Sequence, residues 1–304
     1  MKINKMERSL LKKMEEKGMS YTTLNEKDFK LFSFLEAHIY LTIEQIRTAI
    51  YLNDDGSMKS EKSIWNRLNK LEEDGYITKF KAQATLQAKR PNSIYCLTKT
   101  GSMFLESMQG YTHFKSVYEK KLPMWYMHQL AVNDVVLSYE RHKIPAVDLL
   151  EYANEQRTTF QYNDGREDVI RPDGAILLER QDGYVIGIML EVERSKKARK
   201  FTYDKLVRYK DFFNQSNNAM KRFHIHAGFE EFVDEWRLLF VSNEDENYRK
   251  LKRDFKTVDF EDAFKGQNSF DVMIAKLDDV MTNPYGAIYN YFKPGVDFDE
   301  FRTL

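Results

Sequence analysis

Apolar positions in the first part of the chain follow helical spacing in three successive segments. The segment Asp28–Ala37 has apolar residues at mixed helical spacing, which predicts a buried helix. Thr42 is followed three residues later by Gln45, and this capping-box spacing predicts the start of a second helix. A third helix is predicted from Ser60 to Glu73. Its inner apolar face consists of Ile64, Leu68 and Leu71.

A strand pair with a basic loop follows these three helices. Strands are predicted at Tyr76–Phe80 and Ser93–Leu97, and the loop Lys81–Pro91 between them contains no acidic residue. Thr98 then caps a further helix. Three helices, a strand, a basic loop and a second strand are the element order of a winged helix-turn-helix. Residues 1–120 are therefore predicted to form a charged N-terminal arm and a winged-helix DNA-binding domain.

The exposed face of the third helix and the wing carry the residues expected to contact double-stranded DNA. Side chains of a recognition helix reach base edges in the major groove, whereas basic side chains elsewhere contact phosphates. The helix residues on this face are Lys62, Asn66, Arg67 and Lys70, and the wing residues are Lys79, Lys81, Lys89 and Arg90. A solvated helix face is the alternative, because Lys and Arg are mostly exposed in any protein.

Residues 121–304 are predicted to form an α/β domain. A helix over Trp125–Arg141 precedes two apolar runs, Val169–Leu178 and Tyr184–Glu193, and the Asp182-Gly183 pair between the runs is a hairpin signal. The second run is apolar from Val185 to Leu190, so we expect a central strand that is covered on both faces. The elements expected after the hairpin are a basic helix over 200–214, a strand over 236–241 and a helix over 247–255.

Three acidic residues are expected to meet at the end of this hairpin. With the turn at Asp182-Gly183, Asp173 falls opposite residues 190–192, while Glu191 and Glu193 share one face of their strand. Neighbouring carboxylates repel one another, and a divalent cation such as Mg²⁺ or Mn²⁺ relieves that repulsion. Such an ion can activate water for phosphodiester cleavage. Salt bridges with nearby basic residues are the alternative.

Several segments resemble the replication-relaxation family of plasmids and integrative elements. The segments are Arg171-Pro-Asp-Gly174, Leu190-Glu-Val-Glu-Arg194, Lys205-Leu-Val-Arg-Tyr209, and His128 with Ala131-Val-Asn-Asp-Val135. The resemblance covers most of the chain and implies a winged helix followed by a restriction-endonuclease-like fold, PD-(D/E)xK, at residues 121–304. It also implies kinship with the MOBC class of conjugative relaxases, which nick plasmid DNA at an origin of transfer.

One position departs from the nuclease pattern that the resemblance implies. That pattern has a lysine two residues after the second acidic residue, where this chain has Glu193. Lys196, Lys197 or Lys205 could supply the amine, and Lys205 on the following helix is the best placed. In the enzymatic interpretation, Asp173 and Glu191 bind Mg²⁺, Glu193 completes or tunes the ion site, and Lys205 positions water or phosphate. If no lysine supplies the amine, the fold is retained for binding only.

Histidines and tyrosines offer further candidates. His128 could be a partner of an ion ligand, a general acid or base, or a phosphate contact, and a packing role is an equal alternative. His224-Ile-His226 matches the metal-binding triplet of a different nuclease class that attacks DNA with a tyrosine. Partly buried strand histidines are the favoured interpretation of that triplet. Tyr203 and Tyr209 are predicted to be packing residues.

The charge distribution and the cysteine content restrict the functional classes to which this chain could belong. Lys+Arg and Asp+Glu both total 47, but residues 1–120 hold 20 basic and 15 acidic side chains, and the remainder holds 27 and 32. A basic half joined to an acidic half fits a nucleic-acid reader attached to a metal-binding or regulatory unit. The single cysteine, Cys96, excludes an internal disulfide and a multi-cysteine zinc site. With no signal-peptide core and no membrane-length apolar stretch, the expectation is a cytoplasmic protein.

The favoured interpretation is a two-domain DNA-binding protein of a mobile genetic element that nicks plasmid DNA at an origin, with relaxosome or replication proteins as partners. A non-enzymatic replication or transcription regulator with a degenerate nuclease fold is the main alternative. A protein-interaction adaptor is a third interpretation. The sequence specifies neither the DNA target nor the oligomeric state.

Overall fold

The computed structural model describes residues 24–51, 59–82, 93–193, 199–215, 218–256, 270–292 and 296–304. Almost all of the predicted N-terminal arm lies outside these ranges, as do the wing residues Lys89 and Arg90 and the candidate amines of Lys196 and Lys197. The chain divides into two compact units, residues 1–130 and 131–304. This division lies ten residues beyond the expected boundary at 120.

The first unit contains helices and a small antiparallel sheet in the predicted order. Its helices are α1 (Glu26–His38), α2 (Ile43–Ile50), α3 (Glu61–Glu73), α4 (Lys99–Gln109) and α5 (Val117–Lys120). Its strands are β1 (Leu41–Thr42), β2 (Ile77–Phe80) and β3 (Ile94–Leu97), and they pair in the order β1-β3-β2. Three helices followed by a strand pair are therefore observed where the hydrophobic pattern predicts them.

Local capping interactions fix the starts of these helices. The Thr42 hydroxyl accepts from the amide of Gln45 at 3.1 Å, and the Gln45 side chain accepts from the amide of Thr42 at 3.0 Å, so the predicted capping box is confirmed. Ser60 caps α3 and Thr98 caps α4. Each cap satisfies an amide group that the first helical turn leaves without a backbone partner.

The predicted inner face of α3 is fully buried in the first unit. Ile64, Leu68 and Leu71 are each at most 1% exposed. Gly101 allows α4 to approach β2, because a Cβ atom there would lie 2.2 Å from the carbonyl oxygen of Tyr76. This packing leaves the opposite side of α3 toward solvent.

The second unit is built on a mixed seven-stranded sheet. Its helices are α6 (Tyr126–Arg141, which begins in the first unit), α7 (Glu155–Thr158), α8 (Arg199–Phe213), α9 (Ala219–Ala227), α10 (Asp245–Phe255) and α11 (Leu277–Thr282). Its strands are β4 (Val147–Asn154), β5 (Phe160–Gln161), β6 (Val169–Ile170), β7 (Gly174–Arg180), β8 (Val185–Glu193), β9 (Glu235–Ser242), β10 (Phe270–Lys276), β11 (Tyr289–Phe292) and β12 (Phe301–Arg302). The sheet order is β12-β11-β10-β9-β8-β7-β4, and β5 pairs separately with β6.

Helices cover both faces of this sheet, which gives three layers. Residues of α8, α9 and α10 pack on one face, and residues of α6 pack on the other. Strand β8 runs parallel to β9 and antiparallel to β7, and all nine of its residues are buried. The expectation of a central strand covered on both sides is confirmed.

Two expectations for the second unit are wrong. The apolar run Val169–Leu178 is not one strand: β6 ends at Ile170, and β7 begins only after Pro172, which cannot donate to a sheet ladder. The strand expected around His224 and His226 is the helix α9, so their i, i+2 spacing does not place both rings on one face. No helix among the described residues is long and apolar enough to cross a membrane.

Candidate functional site

The candidate site lies where strand β8 changes from apolar to acidic side chains. Side chains alternate along a strand, and the face of β8 that carries Val185 and Met189 packs in the same core as α8. Glu191 and Glu193 follow on this face, so both carboxylates point toward α8. Neighbouring β9 runs parallel to β8, with Phe240 opposite Glu191 and Ser242 opposite Glu193.

Glu191 is held by two side chains of α8. One carboxylate oxygen accepts from the Lys205 ammonium group at 2.6 Å, and the other accepts from the Tyr209 hydroxyl at 2.6 Å. Lys205 and Tyr209 are four residues apart, so they lie on one face of the helix. Glu191 is only 1% exposed, and these contacts compensate for the loss of its hydration.

Glu193 and Asp173 flank this pair. Lys205 also donates to Glu193 at 3.0 Å, so a single ammonium group bridges the two glutamates. The register places Gly174 opposite Leu190, and the amide of Asp173 donates to the carbonyl of Leu190 at 2.9 Å, so Asp173 lies beside residues 190–192, as the hairpin arithmetic predicts. One Asp173 carboxylate oxygen accepts from the backbone amide of Val192 at 2.6 Å.

The electrostatics of the site centre on Glu191. Burial raises the pKa of Glu191 from 4.5 to about 7, although the Lys205 ammonium group lowers it and the Asp173 carboxylate raises it further. Burial opposes the charge of Lys205, but Glu191, Glu193 and Asp173 together raise its pKa above the ordinary value. Burial raises the pKa of Tyr209 well above its ordinary value, and the negative charge of Glu191 raises it further. Lys205 is therefore charged and Tyr209 neutral at physiological pH.

A pocket of about 260 Å³ opens over this carboxylate. The residues that line it are Val169, Ile170, Arg171, Glu191, Lys205, Arg208 and Tyr209. Three of these side chains are cationic and one is acidic. The sequence interpretation assigned Tyr209 to packing and gave Arg208 no role; both lie four or fewer residues after Lys205, a helical spacing that could have indicated them.

The proposed ion ligands are close but do not form a three-ligand cage. In the part of the chain that the structure describes, no group of three or more His, Cys, Asp or Glu residues is arranged to hold a metal ion. Mg²⁺ commonly uses one or two carboxylates together with water and phosphate oxygens, so it requires no such group. His128 is half-buried in the first unit, whereas Asp173, Glu191 and Glu193 belong to the second.

Comparison with known proteins identifies the family. The family model described as replication-relaxation matches residues 32–225, which is more than half of the chain. The chain belongs to the replication-relaxation family. The match includes α3 of the first unit and Glu191, Lys205 and Tyr209 of the second.

Two solved structures are similar to this member of the replication-relaxation family over 86% of its chain. Restriction endonuclease FokI gives a TM-score of 0.29 at 14% identity, with 44% of that chain covered. FokI bound to DNA gives a TM-score of 0.24 at 13% identity, with 45% covered. The chain thus spans less than half the length of these structures. The curated proteins contain no match.

The first unit presents a second candidate site on α3. Lys62, Asn66 and Lys70 recur every four residues and are exposed, and Trp65 beside them is 49% exposed. Lys81 is also exposed, but Lys79 forms an ion pair with Glu72 at 2.7 Å. The exposed tryptophan was not singled out from the sequence, because its position could equally well have been apolar core.

Arg67, expected on this DNA-binding face, is directed into the unit instead. Its guanidinium group forms an ion pair with Asp28 of α1, and its Nε atom lies 2.8 Å from Asp28 Oδ1. The Asp28 side chain is fully buried, whereas that of Arg67 is 22% exposed. The sequence signal missed this contact because the two residues are 39 positions apart.

We expect Arg67→Ala to destabilise the first unit of this replication-relaxation protein by about 3 kcal/mol, because a buried carboxylate would lose its cationic partner. Lys62→Ala, at an exposed position on the same helix, should change stability by no more than about 0.5 kcal/mol. Calorimetric unfolding of the full chain measures both effects. Equal stability of the two variants would show that the Asp28 ion pair contributes nothing.

We expect Glu191 to make the folding stability pH-dependent. Because the pKa is about 7 when folded and 4.5 ordinarily, the folded protein binds an extra proton between these values, and stability falls as the pH rises through this window. Glu191→Gln removes this component, whereas Tyr209→Phe retains the carboxylate and should retain the dependence. Denaturant unfolding as a function of pH tests this, and parallel curves for wild type and Glu191→Gln would contradict it.

Proposed function

We propose that this chain is a cytoplasmic DNA-binding protein of a mobile genetic element that nicks plasmid DNA at an origin. In this proposal the first unit binds double-stranded DNA as a winged helix, and the second unit acts on a phosphodiester at Glu191. The observation that carries the proposal is the buried Glu191–Lys205 pair beneath a basic pocket in a replication-relaxation family member.

The element order of the first unit supports winged-helix DNA binding. Helix α3 buries one face and exposes Lys62, Asn66 and Lys70 on the other, which suits insertion into a major groove. Asn can pair with adenine through two hydrogen bonds, and lysines contact phosphates or guanine. We assign Arg67 to the support of this helix, since Asp28 engages its guanidinium group.

The carboxylates of the second unit fit a divalent cation. Asp173 immediately precedes β7 and forms hydrogen bonds with Leu190 and Val192 of β8, and the charge of Asp173 raises the pKa of Glu191. This unfavourable proximity of two carboxylates is the environment that a dication stabilises. Asp173 and Glu191 would hold Mg²⁺ or Mn²⁺, which when bound supplies an activated water and neutralises phosphate charge.

The remaining side chains have separable roles in this proposal. The Lys205 ammonium group contributes a fixed positive charge beside the phosphate and can orient the attacking water. Glu193 holds that amine in place through its 3.0 Å contact. Tyr209 fixes the Glu191 carboxylate by donating to it at 2.6 Å. Lys205 thus takes the part that the nuclease pattern gives to a strand lysine.

One observation favours a second candidate function, a non-enzymatic replication or transcription regulator. The Lys205 ammonium group already forms ion pairs with both Glu191 and Glu193, which suits a purely structural charge cluster. In that case the second unit binds DNA without cutting it. The two candidates differ in their requirement for metal and for the Asp173 carboxylate.

We expect Mg²⁺-dependent nicking of supercoiled plasmid that carries the cognate origin. Asp173→Ala and Glu191→Gln should each slow nicking by at least about 100-fold, because the ion would have one ligand fewer. Asp182→Asn, at the exposed tip of the same hairpin, is the matched control and should nick normally. Gel separation of nicked and supercoiled forms at saturating DNA and metal measures the rates. Equal nonzero rates for wild type and Asp173→Ala would refute the assignment of this site, and the absence of nicking by wild type would favour the regulator.

We expect the exposed face of α3 to determine DNA binding. Asn66→Ala should weaken binding to the cognate site by about 1–3 kcal/mol. Lys62→Ala and Lys70→Ala should each reduce the slope of log affinity against log salt concentration by about the contribution of one phosphate contact. Lys30→Ala, on the exposed surface of α1, is the control. Fluorescence anisotropy with duplex DNA over a salt series provides the measurement. Unchanged binding in all three α3 variants would remove α3 from the interface.

A further inference from the structure

The lining of the pocket over Glu191 contains three cationic side chains and one acidic side chain. Lys205 is paired with Glu191 and Glu193. Among the described residues, neither Arg171 nor Arg208 forms an ion pair, and Arg208 donates only to the backbone carbonyl of Asp204, at 3.3 Å. Two guanidinium groups in the wall of one pocket therefore lack an anionic partner within the described chain.

The two arginines come from two different elements that line the pocket. Arg171 follows strand β6, whose Val169 and Ile170 also line it. Arg208 lies on α8, three residues after Lys205 and one before Tyr209, so these side chains project from the same side of the helix. Glu191 and Lys205 line the same pocket. A ligand that enters the pocket meets cationic side chains from both elements.

The side chains that line this pocket have the chemistry of a phosphate-binding site. Guanidinium groups bind phosphate oxygens through paired, charge-assisted hydrogen bonds. A concave surface with an excess of cationic side chains concentrates positive electrostatic potential and attracts anions. The pocket volume of about 260 Å³ accommodates a phosphate and part of its sugar, and the half-buried apolar side chain of Val169 suits the sugar carbons.

We infer that Arg171 and Arg208 clamp a phosphate group of a DNA strand directly over Glu191. This inference deepens the proposed function, because it assigns the phosphate contacts of the same pocket. It gives each arginine a role in binding the strand, separate from the carboxylates that are proposed to hold the metal. The ligand in this inference is a phosphate group of DNA. It is either an internal diester or a terminal monoester, and both offer the same phosphate oxygens to the arginines.

The test uses the full chain, a chelator to remove divalent metal, and single-stranded DNA of about eight nucleotides, within the site sizes of strand-binding proteins. A single strand is used because α3 is proposed to bind double-stranded DNA, and that binding should not contribute to this measurement. The strand carries a dye at one end and is prepared with and without a phosphate at the other. Wild type is compared with Arg171→Gln and Arg208→Gln by fluorescence anisotropy. Arg180→Gln, at the far end of β7, is the matched control.

We expect Arg171→Gln and Arg208→Gln each to weaken binding about tenfold, and Arg180→Gln to bind as wild type does. The slope of log affinity against log salt concentration should become shallower by about 0.7 for each phosphate of a single strand that no longer pairs with an arginine. A loss of affinity confined to the strand with the terminal phosphate assigns a monoester, and an equal loss for both strands assigns a diester. Arg171→Lys and Arg208→Lys should restore the charge but only part of the affinity, because an ammonium group cannot form the paired hydrogen bonds.

Wild-type affinity in both glutamine variants would overturn the clamp, as would an equal loss of affinity in the Arg180→Gln control. Circular dichroism of each variant confirms that the fold is retained. The result is independent of cleavage, because the measurement contains no divalent metal. Arginine-dependent binding without any Mg²⁺-dependent nicking would therefore refute the nicking proposal and support the clamp.

Discussion

The stability of the second unit depends on the interactions that compensate for the lost hydration of one buried carboxylate, that of Glu191. Glu191 is almost fully removed from water, in a strand whose other residues are buried too. An isolated charge in that position would be very unfavourable. Lys205 and Tyr209 supply a salt bridge and a hydrogen bond from one helix, so the position of α8 on the sheet is coupled to the charge of β8. Removing one partner of such a pair costs more than replacing both.

The alternation of strand residues explains why this site lies at the end of the strand. Val185 and Met189 bury apolar side chains against the helical layer, and Glu191 and Glu193 extend the same face into the region of Lys205. The apolar part of the strand therefore anchors the sheet, and the acidic part meets the pocket. A shift of one residue would turn both glutamates to the opposite face. The register that stabilises the core is thus the register that forms the site.

Sequence patterns predicted the parts of the structure that depend on local chemistry. The capping box at Thr42, the buried face of α3, the central strand and the proximity of Asp173 to Glu191 all follow from short-range spacing. The inward direction of Arg67 could not be predicted, because Asp28 is distant in sequence. Strand β4 was missed because its residues are mostly half-buried and lack a clear apolar period. The family resemblance could indicate Lys205 as a candidate amine. It could not indicate that Lys205 bridges two glutamates, because those residues too are separated from it along the sequence.

In the proposed phosphate site, Glu191 would link anion binding to protonation. A phosphate clamped by Arg171 and Arg208 would bring negative charge next to this carboxylate, and like charge raises the pKa of an acid. Since burial already places that pKa at about 7, phosphate binding alone would favour the protonated side chain at neutral pH. A dication at Asp173 and Glu191 has the opposite effect and favours the ionised form. If both bind as proposed, phosphate and metal would act on the same proton, and their binding would be thermodynamically coupled through it.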